Sequence, residues 1–246
     1  MKATLPSGAW SALVRNLGTL LAGFVLSLLW SAHPVHASAL QLEAADGHPS
    51  LNGHLSWLLD RTGQLSFEEA IEQHRSGRFM PVDGDEVAPG FLPHAAAWIH
   101  FALKRDAAAP TLWWLAFPLD TLDHIDLFLE RPDGTYELRH GGRAVPLAQR
   151  ESPWREQAFK LNLETTETRN VYLRIATIGS FRALVSLWQE TAFIRHQVRE
   201  NFLLGGFLSI MFVAFLFSLF RTLKYRSVID LCYALYIAGL ESSTFI

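Results

Sequence analysis

The sequence predicts a mainly β fold, an antiparallel β-sandwich of jelly-roll type, followed by transmembrane α-helices. Three observations carry the prediction. Apolar residues alternate with period two through most of residues 39–190, as half-buried strands do. Turn signals separate these runs. Beyond them, Phe202–Phe220 is an apolar stretch of 19 residues without a charge, long enough to span a bilayer.

Taken in order, the chain opens with Lys2 and Arg15, an apolar run of 14 residues from Leu17 to Trp30, and small residues around Ala37 and Ala39. That is the layout of a secretory signal peptide, here residues 1–38 with cleavage after Ala37 or Ala39; the run is short for a membrane span. A middle domain follows at 39–190. Leu55–Leu59 reads as a strand closed by a turn at Asp60-Arg61-Thr62-Gly63. Ser66-Phe67-Glu68-Glu69 is a capping box, so a helix should start there, run to about Arg75 and stop at Gly77.

The strands then follow in series. Ile99, Phe101 and Leu103 alternate with His100 and Ala102, and Ile125, Leu127 and Leu129 alternate with Asp126 and Phe128. Phe159, Leu161 and Leu163, then Val171, Leu173 and Ile175, then Val185 and Leu187 repeat the pattern. Leu112–Phe117 is a denser run suited to a central strand, and Pro132-Asp133-Gly134 is a turn, with φ preset by Pro and a positive φ accepted by Gly.

Charge and composition narrow the class. Half of the 246 residues are apolar and 18% are charged, which excludes disorder and a nucleic-acid-binding tail. Residues 38–200 hold 16 Lys/Arg against 22 Asp/Glu, whereas both apolar ends are cationic. The single cysteine, Cys232, lies in the last apolar run, so no disulfide braces the middle domain. After that domain we expect a juxtamembrane linker at 191–200, a first transmembrane helix at 201–220, a cytoplasmic loop at 221–227 and a second helix at 228–246 that reads as truncated. Arg221, Lys224 and Arg226 place their end inside by the positive-inside rule. The signal peptide independently places residues 39–200 outside.

The order of motifs resembles a known family. A strand ending at Asp60 with Gly63, the capped helix at Ser66–Glu69, and Phe79 before Pro81 come first. Trp98-Ile99-His100-Phe101, Trp113-Trp114-Leu115 and Leu122–Phe128 follow. Gly141-Gly142 leading to Arg150, Val171–Ile175, and a membrane helix opening on Gly205-Gly206 complete the series. Together these are similar to the bacterial seven-transmembrane receptors with diverse intracellular signalling modules, in their second type of extracellular domain. The resemblance implies a sensor of small molecules or carbohydrates that passes its signal to a cytoplasmic output domain, such as a diguanylate cyclase or histidine kinase, absent from this chain. It also implies a possible homodimer. The alternative is a membrane-anchored adaptor binding a protein partner.

No catalytic constellation is visible, and no cofactor or metal is expected. The histidines are scattered without zinc spacing. Asp123 and Asp126, three apart around a strand start, point to opposite faces and make poor acid–base partners. Trp98, Trp113, Trp114, Trp154 and Trp188 either fill the core or offer indole faces for stacking on sugar rings. Trp98 lies on the parity opposite Ile99 and Phe101, which predicts that it avoids the core. Arg174 likewise alternates away from Leu173, and the resemblance puts a recurring arginine at Arg150. Trp98, Arg150 and Arg174 are therefore the expected ligand-binding residues.

Overall fold

In the computed structural model, residues 38–244 are described apart from positions 92, 119, 120 and 155. The expected signal peptide, residues 1–38, lies outside the described residues except for Ser38, as do the last two residues of the final apolar run. One layer is a seven-stranded sheet. Its strands are β1 (Leu40–Leu42), β2 (Ser56–Asp60), β3 (Met80–Pro81), β5 (Ala96–Arg105), β7 (His124–Glu130), β8 (Tyr136–Gly141) and β10 (Thr168–Ala176). They run in the order β3-β2-β5-β10-β7-β8, with β1 also on β5. The second layer comprises the pair β4 (Glu86–Phe91) and β11 (Ser180–Leu184), and the triplet β12 (Ser186–Gln189), β6 (Leu112–Phe117) and β9 (Gln157–Asn162).

The pairings are antiparallel as expected, with one exception: β1 runs parallel to β5, with Leu40 opposite Leu103. β2 pairs with the first half of β5 and β1 with its end, so the two short strands share one edge. β4 carries Pro89 and Gly90 and shows no period-two signal. Its pairing with β11 makes it a strand, at an edge where a proline is tolerated.

The alternating residues do what their parity demands. Ile99, Phe101 and Leu103 of β5 and Val171, Leu173 and Ile175 of β10 enter one core with Leu115 and Phe117 of β6, Leu161 of β9 and Leu187 of β12. Two aligned sheets closing over such a core are the sandwich arrangement. β7 alternates strictly between buried and partly exposed positions.

β5 does not alternate. Nine of its ten residues are buried, because its second face is roofed by helix α1 (Phe67–Arg75). That helix starts at the expected capping box. The Ser66 hydroxyl accepts from the Glu69 amide at 3.3 Å, and the Glu69 carboxylate accepts from the Ser66 amide at 2.8 Å. It ends at Ser76-Gly77, with Gly77 at φ 72°. Phe67 stacks on Phe128 at 4.1 Å and meets Trp98, Tyr136 and Tyr172. Farther along, His74 lies 3.8 Å from the His100 ring, and its Nδ1 pairs with the Tyr172 hydroxyl at 2.8 Å.

The sandwich continues into α2 (Glu190–Tyr225), a single helix of 36 residues. The stretch 191–200 is thus helical and continuous with the apolar segment. At 1.5 Å per residue the helix is about 54 Å long, well beyond the roughly 30 Å hydrocarbon core of a bilayer. By length and composition it is able to cross a membrane. Its first turns are bolted to the outer face of the second layer. Phe193 is fully buried against Trp114, with ring centroids 5.2 Å apart. Lys160 pairs with Glu190 at 3.3 Å, and the Gln189 amide donates to the Gly47 carbonyl at 3.0 Å. Arg226, at φ 54°, ends the helix. A second apolar helix, α3 (Val228–Thr244), returns along it. The Ser218 hydroxyl donates to the Asp230 carbonyl at 2.7 Å, and Arg221 pairs with the Asp230 carboxylate at 3.4 Å.

Candidate functional site

Where β5, β7 and β10 end together, α1 no longer covers the sheet and a cleft of about 320 Å³ opens, within the range of small-molecule sites. Gly63, His94, Ala95, Asp123, His124, Ala144, Arg174 and Thr177–Ile178 line it. The loops after β2 (61–65), before β5 (93–95) and after β10 (177–179) form its walls, joined by Asp123 before β7 and Ala144 after β8.

The loops are held by short polar contacts. Asp60 accepts from the Thr62 hydroxyl at 2.7 Å, the Thr62 amide at 3.0 Å and the Leu65 amide at 2.8 Å. Burial works to raise its pKa, but the Thr62 hydroxyl and the amides outweigh it and hold the carboxyl below the usual range. Asp123 does the same across the cleft. It accepts from the Ile178 amide and the Thr177 hydroxyl at 2.9 Å each, and from Arg143 at 3.0 Å. The Ile178 amide contributes most to depressing its pKa, against desolvation and with help from Thr177 and Arg143.

Two glycines allow the walls to close. A Cβ on Gly63 would sit 2.4 Å from the His94 carbonyl oxygen, and one on Gly142 2.4 Å from that of Asp123. Both have positive φ, as does His94 at 71°, an uncommon backbone for a residue with a side chain. Strain of this kind concentrates at binding sites, so His94 marks the cleft independently of its shape.

Arg174 supplies the fixed charge. Its guanidinium donates to the Gly63 carbonyl at 2.7 Å and to Asp126 at 3.4 Å, and a quarter of its side chain stays exposed. The anchored group keeps further N–H donors facing the cleft. Asp123 is engaged by its loop, and His94 and His124 stand exposed at the rim. The arrangement suits a ligand that presents hydroxyl or carboxylate oxygens.

The three expected residues part company here. Arg174 lines the cleft. Arg150 stands behind its wall, where Nε donates to the Val145 carbonyl at 2.9 Å and Nη2 to that of Arg143 at 3.3 Å, bracing the loop that carries Ala144. The expectation that Trp98 faces solvent is corrected. It pairs with Arg174 across β5 and β10 and leaves the main core as its parity requires, yet it is fully buried beneath Phe67 and Phe128. None of the five expected tryptophans lines this cleft. Trp113 fills the core, and Trp114, Trp154 and Trp188 pack with Phe193 where α2 docks.

Sequence reading missed His94, Thr177 and Ile178. Only the Asp-x-x-Gly turn at Asp60–Gly63 hinted that a special backbone stood there. Among the described residues no three His, Cys, Asp or Glu side chains cluster as a metal site.

The architecture is a β-sandwich with a cleft at one end of its larger sheet, continued by a helix long and apolar enough to cross a membrane. The family model for the 7TMR-DISM extracellular 2 domain matches residues 52–189, and the chain belongs to that family. The domain is therefore sensory rather than catalytic. No curated protein matches the chain. Among solved structures it is similar to a β-glucosidase from Kluyveromyces marxianus in complex with glucose, at 13% identity and a TM-score of 0.34. That match covers 63% of this chain and 18% of the glucosidase.

Proposed function

We propose that this chain is the sensing and first membrane-crossing part of a receptor in the bacterial inner membrane. Its periplasmic sandwich binds a small polar molecule, such as a carbohydrate, in the Arg174 cleft. The occupied state is communicated along α2 to a cytoplasmic output domain outside this chain. The observation that carries the reading is the convergence of an anchored, part-exposed arginine with a strained His94 and three loops in one cleft. A ligand shifts the receptor only through different affinities for two states. Loops tied to three different strands provide such states, because a molecule bridging Arg174 and the 177–179 loop draws β10 and β11 together. β11 leads directly into β12, on which α2 is seated.

The test is a thermal-shift screen of monosaccharides and small carboxylates on the full chain in detergent micelles, run beside Arg174→Ala. A compound that raises the melting temperature of the wild type and not of the variant supports the site. Compounds that shift both equally exclude Arg174 from binding.

A further inference from the structure

A second groove, of about 320 Å³, lies where the sandwich meets α2, on the side of the molecule that would face the membrane surface. Its floor is a stack of three rings. His48 lies 3.7 Å from Trp188, and His196 lies 4.7 Å from the same indole. The stack is pinned: His48 Nδ1 donates to the Leu187 carbonyl at 2.9 Å, and the indole N–H donates to Ser186 at 3.2 Å. His196 also faces Glu156 at 3.5 Å. The wall is one face of α2 carrying Ala192, Arg195 and Arg199. The two arginines are four residues apart and so project along the same face.

Arg195 and Arg199 stand open to solvent. Among the described residues Arg195 has no ion pair, and Arg199 reaches only its neighbour Glu200, at 3.8 Å. Their height along the helix is set by the apolar run beginning at Phe202. Arg199 stands about 4.5 Å and Arg195 about 10.5 Å outside it, at 1.5 Å per residue. The headgroup layer is roughly 5–8 Å deep on each side of the hydrocarbon. The guanidiniums therefore stand within and just above the layer of lipid phosphates, beside a tryptophan of the kind that favours this interface.

We propose that this groove is a binding site for the headgroup of an anionic phosphoglyceride in the outward-facing leaflet. Arg195 and Arg199 hold the phosphate, and the Trp188 ring stack lies against the glycerol. The lipid thereby fixes the depth and tilt at which α2 enters the membrane. This site is separate from the Arg174 cleft and does not depend on what that cleft binds.

The test is native mass spectrometry of the full chain released from micelles, counting retained phosphatidylglycerol against phosphatidylcholine. Arg221→Gln, Lys224→Gln and Arg226→Gln form the background, so that the cations at the other end of α2 do not contribute. In that background Arg195→Gln with Arg199→Gln should lower phosphatidylglycerol retention about fivefold per arginine and leave phosphatidylcholine unchanged. Lysines at both positions should restore most of it. Both arginines are exposed, so the variants fold. Equal retention of the two lipids, or retention indifferent to the double substitution, overturns the proposal. Displacement of the lipid by millimolar inorganic phosphate overturns it too, since the groove would then be a site for free anions.

Discussion

At the scale of single residues, Trp98 and Arg174 are neighbours across two strands with opposite fates. Trp98 is closed in by Phe67 and Phe128, and its indole N–H finds no hydrogen-bond partner among the described residues. Trp98→Ala should therefore cost about 3–5 kcal/mol, as removal of a buried aromatic does. Trp98→Phe should cost much less, because it discards a donor that is already unpaired. Chemical denaturation of the full chain in micelles, followed by near-UV circular dichroism, distinguishes the two. Equal losses would show that the indole N–H is satisfied after all.

Asp123 belongs to the same scale. Its carboxyl is held below its ordinary value, led by the Ile178 amide. The unfolded chain consequently binds a proton more readily than the folded one. The stabilisation is present above the ordinary carboxylate value, and is lost as the pH falls from there through the lowered one. Asp123→Asn should flatten the dependence of the urea midpoint on pH below about pH 4. An unchanged slope would assign the acid sensitivity to other carboxylates.

At the scale of elements, α1 turns the outer face of the sheet into a second, aromatic core. Burial pushes the Tyr136 phenol up to about 12, with the negative charge of Glu130 adding to the effect and Arg75 opposing it. Tyr172 is raised further for the same leading reason, burial. For an acid whose folded pKa exceeds its unfolded one, stability is complete below the unfolded value and is lost as the pH rises through the folded value. The seat of α1 should thus weaken between about pH 10 and 12. Phenolate absorbance should show two tyrosines ionising together with the loss of near-UV ellipticity. Ser66→Ala should bring that transition to lower pH, since removing an N-cap costs a helix about 1 kcal/mol.

Helix α2 is the other decisive element. Phe193 anchors it to Trp114, and its first turns share a face with β12 and β6. Phe193→Ala should raise amide hydrogen exchange in Trp113–Ala116 while leaving β5 protected. Uniform loss of protection would mean that the anchor supports the whole sandwich and not the junction alone.

At the scale of the whole molecule, the sandwich runs without a break into α2, and α3 returns along that helix. Orientation is set by charge: Arg221, Lys224 and Arg226 follow the span, and the sensory domain precedes it. A reporter active only outside the cytoplasm should work when fused after Arg199 and fail after Arg226. The reverse pattern would invert the molecule.

The division between sequence and tertiary structure follows from the range of the forces involved. Period-two runs announced β5, β7, β9, β10 and β12, a dense apolar run announced β6, and the capping box placed α1 to the residue, because such patterns and caps are written within a few neighbouring positions. The sandwich, the long apolar helix after it and the family were legible for the same reason. Parity also correctly turned Trp98 and Arg174 away from the main core. What parity carries is the side of a strand, not what covers that side. α1, anchored through Phe67, buries Trp98 and stops short of Arg174, so one of two cross-strand neighbours is structural and the other faces a cleft. His94, Asp123 and the stretch Arg174–Thr177 lie far apart along the chain and meet only through the pairing of β5, β7 and β10. No local pattern encodes that meeting; it exists once the sheet has folded.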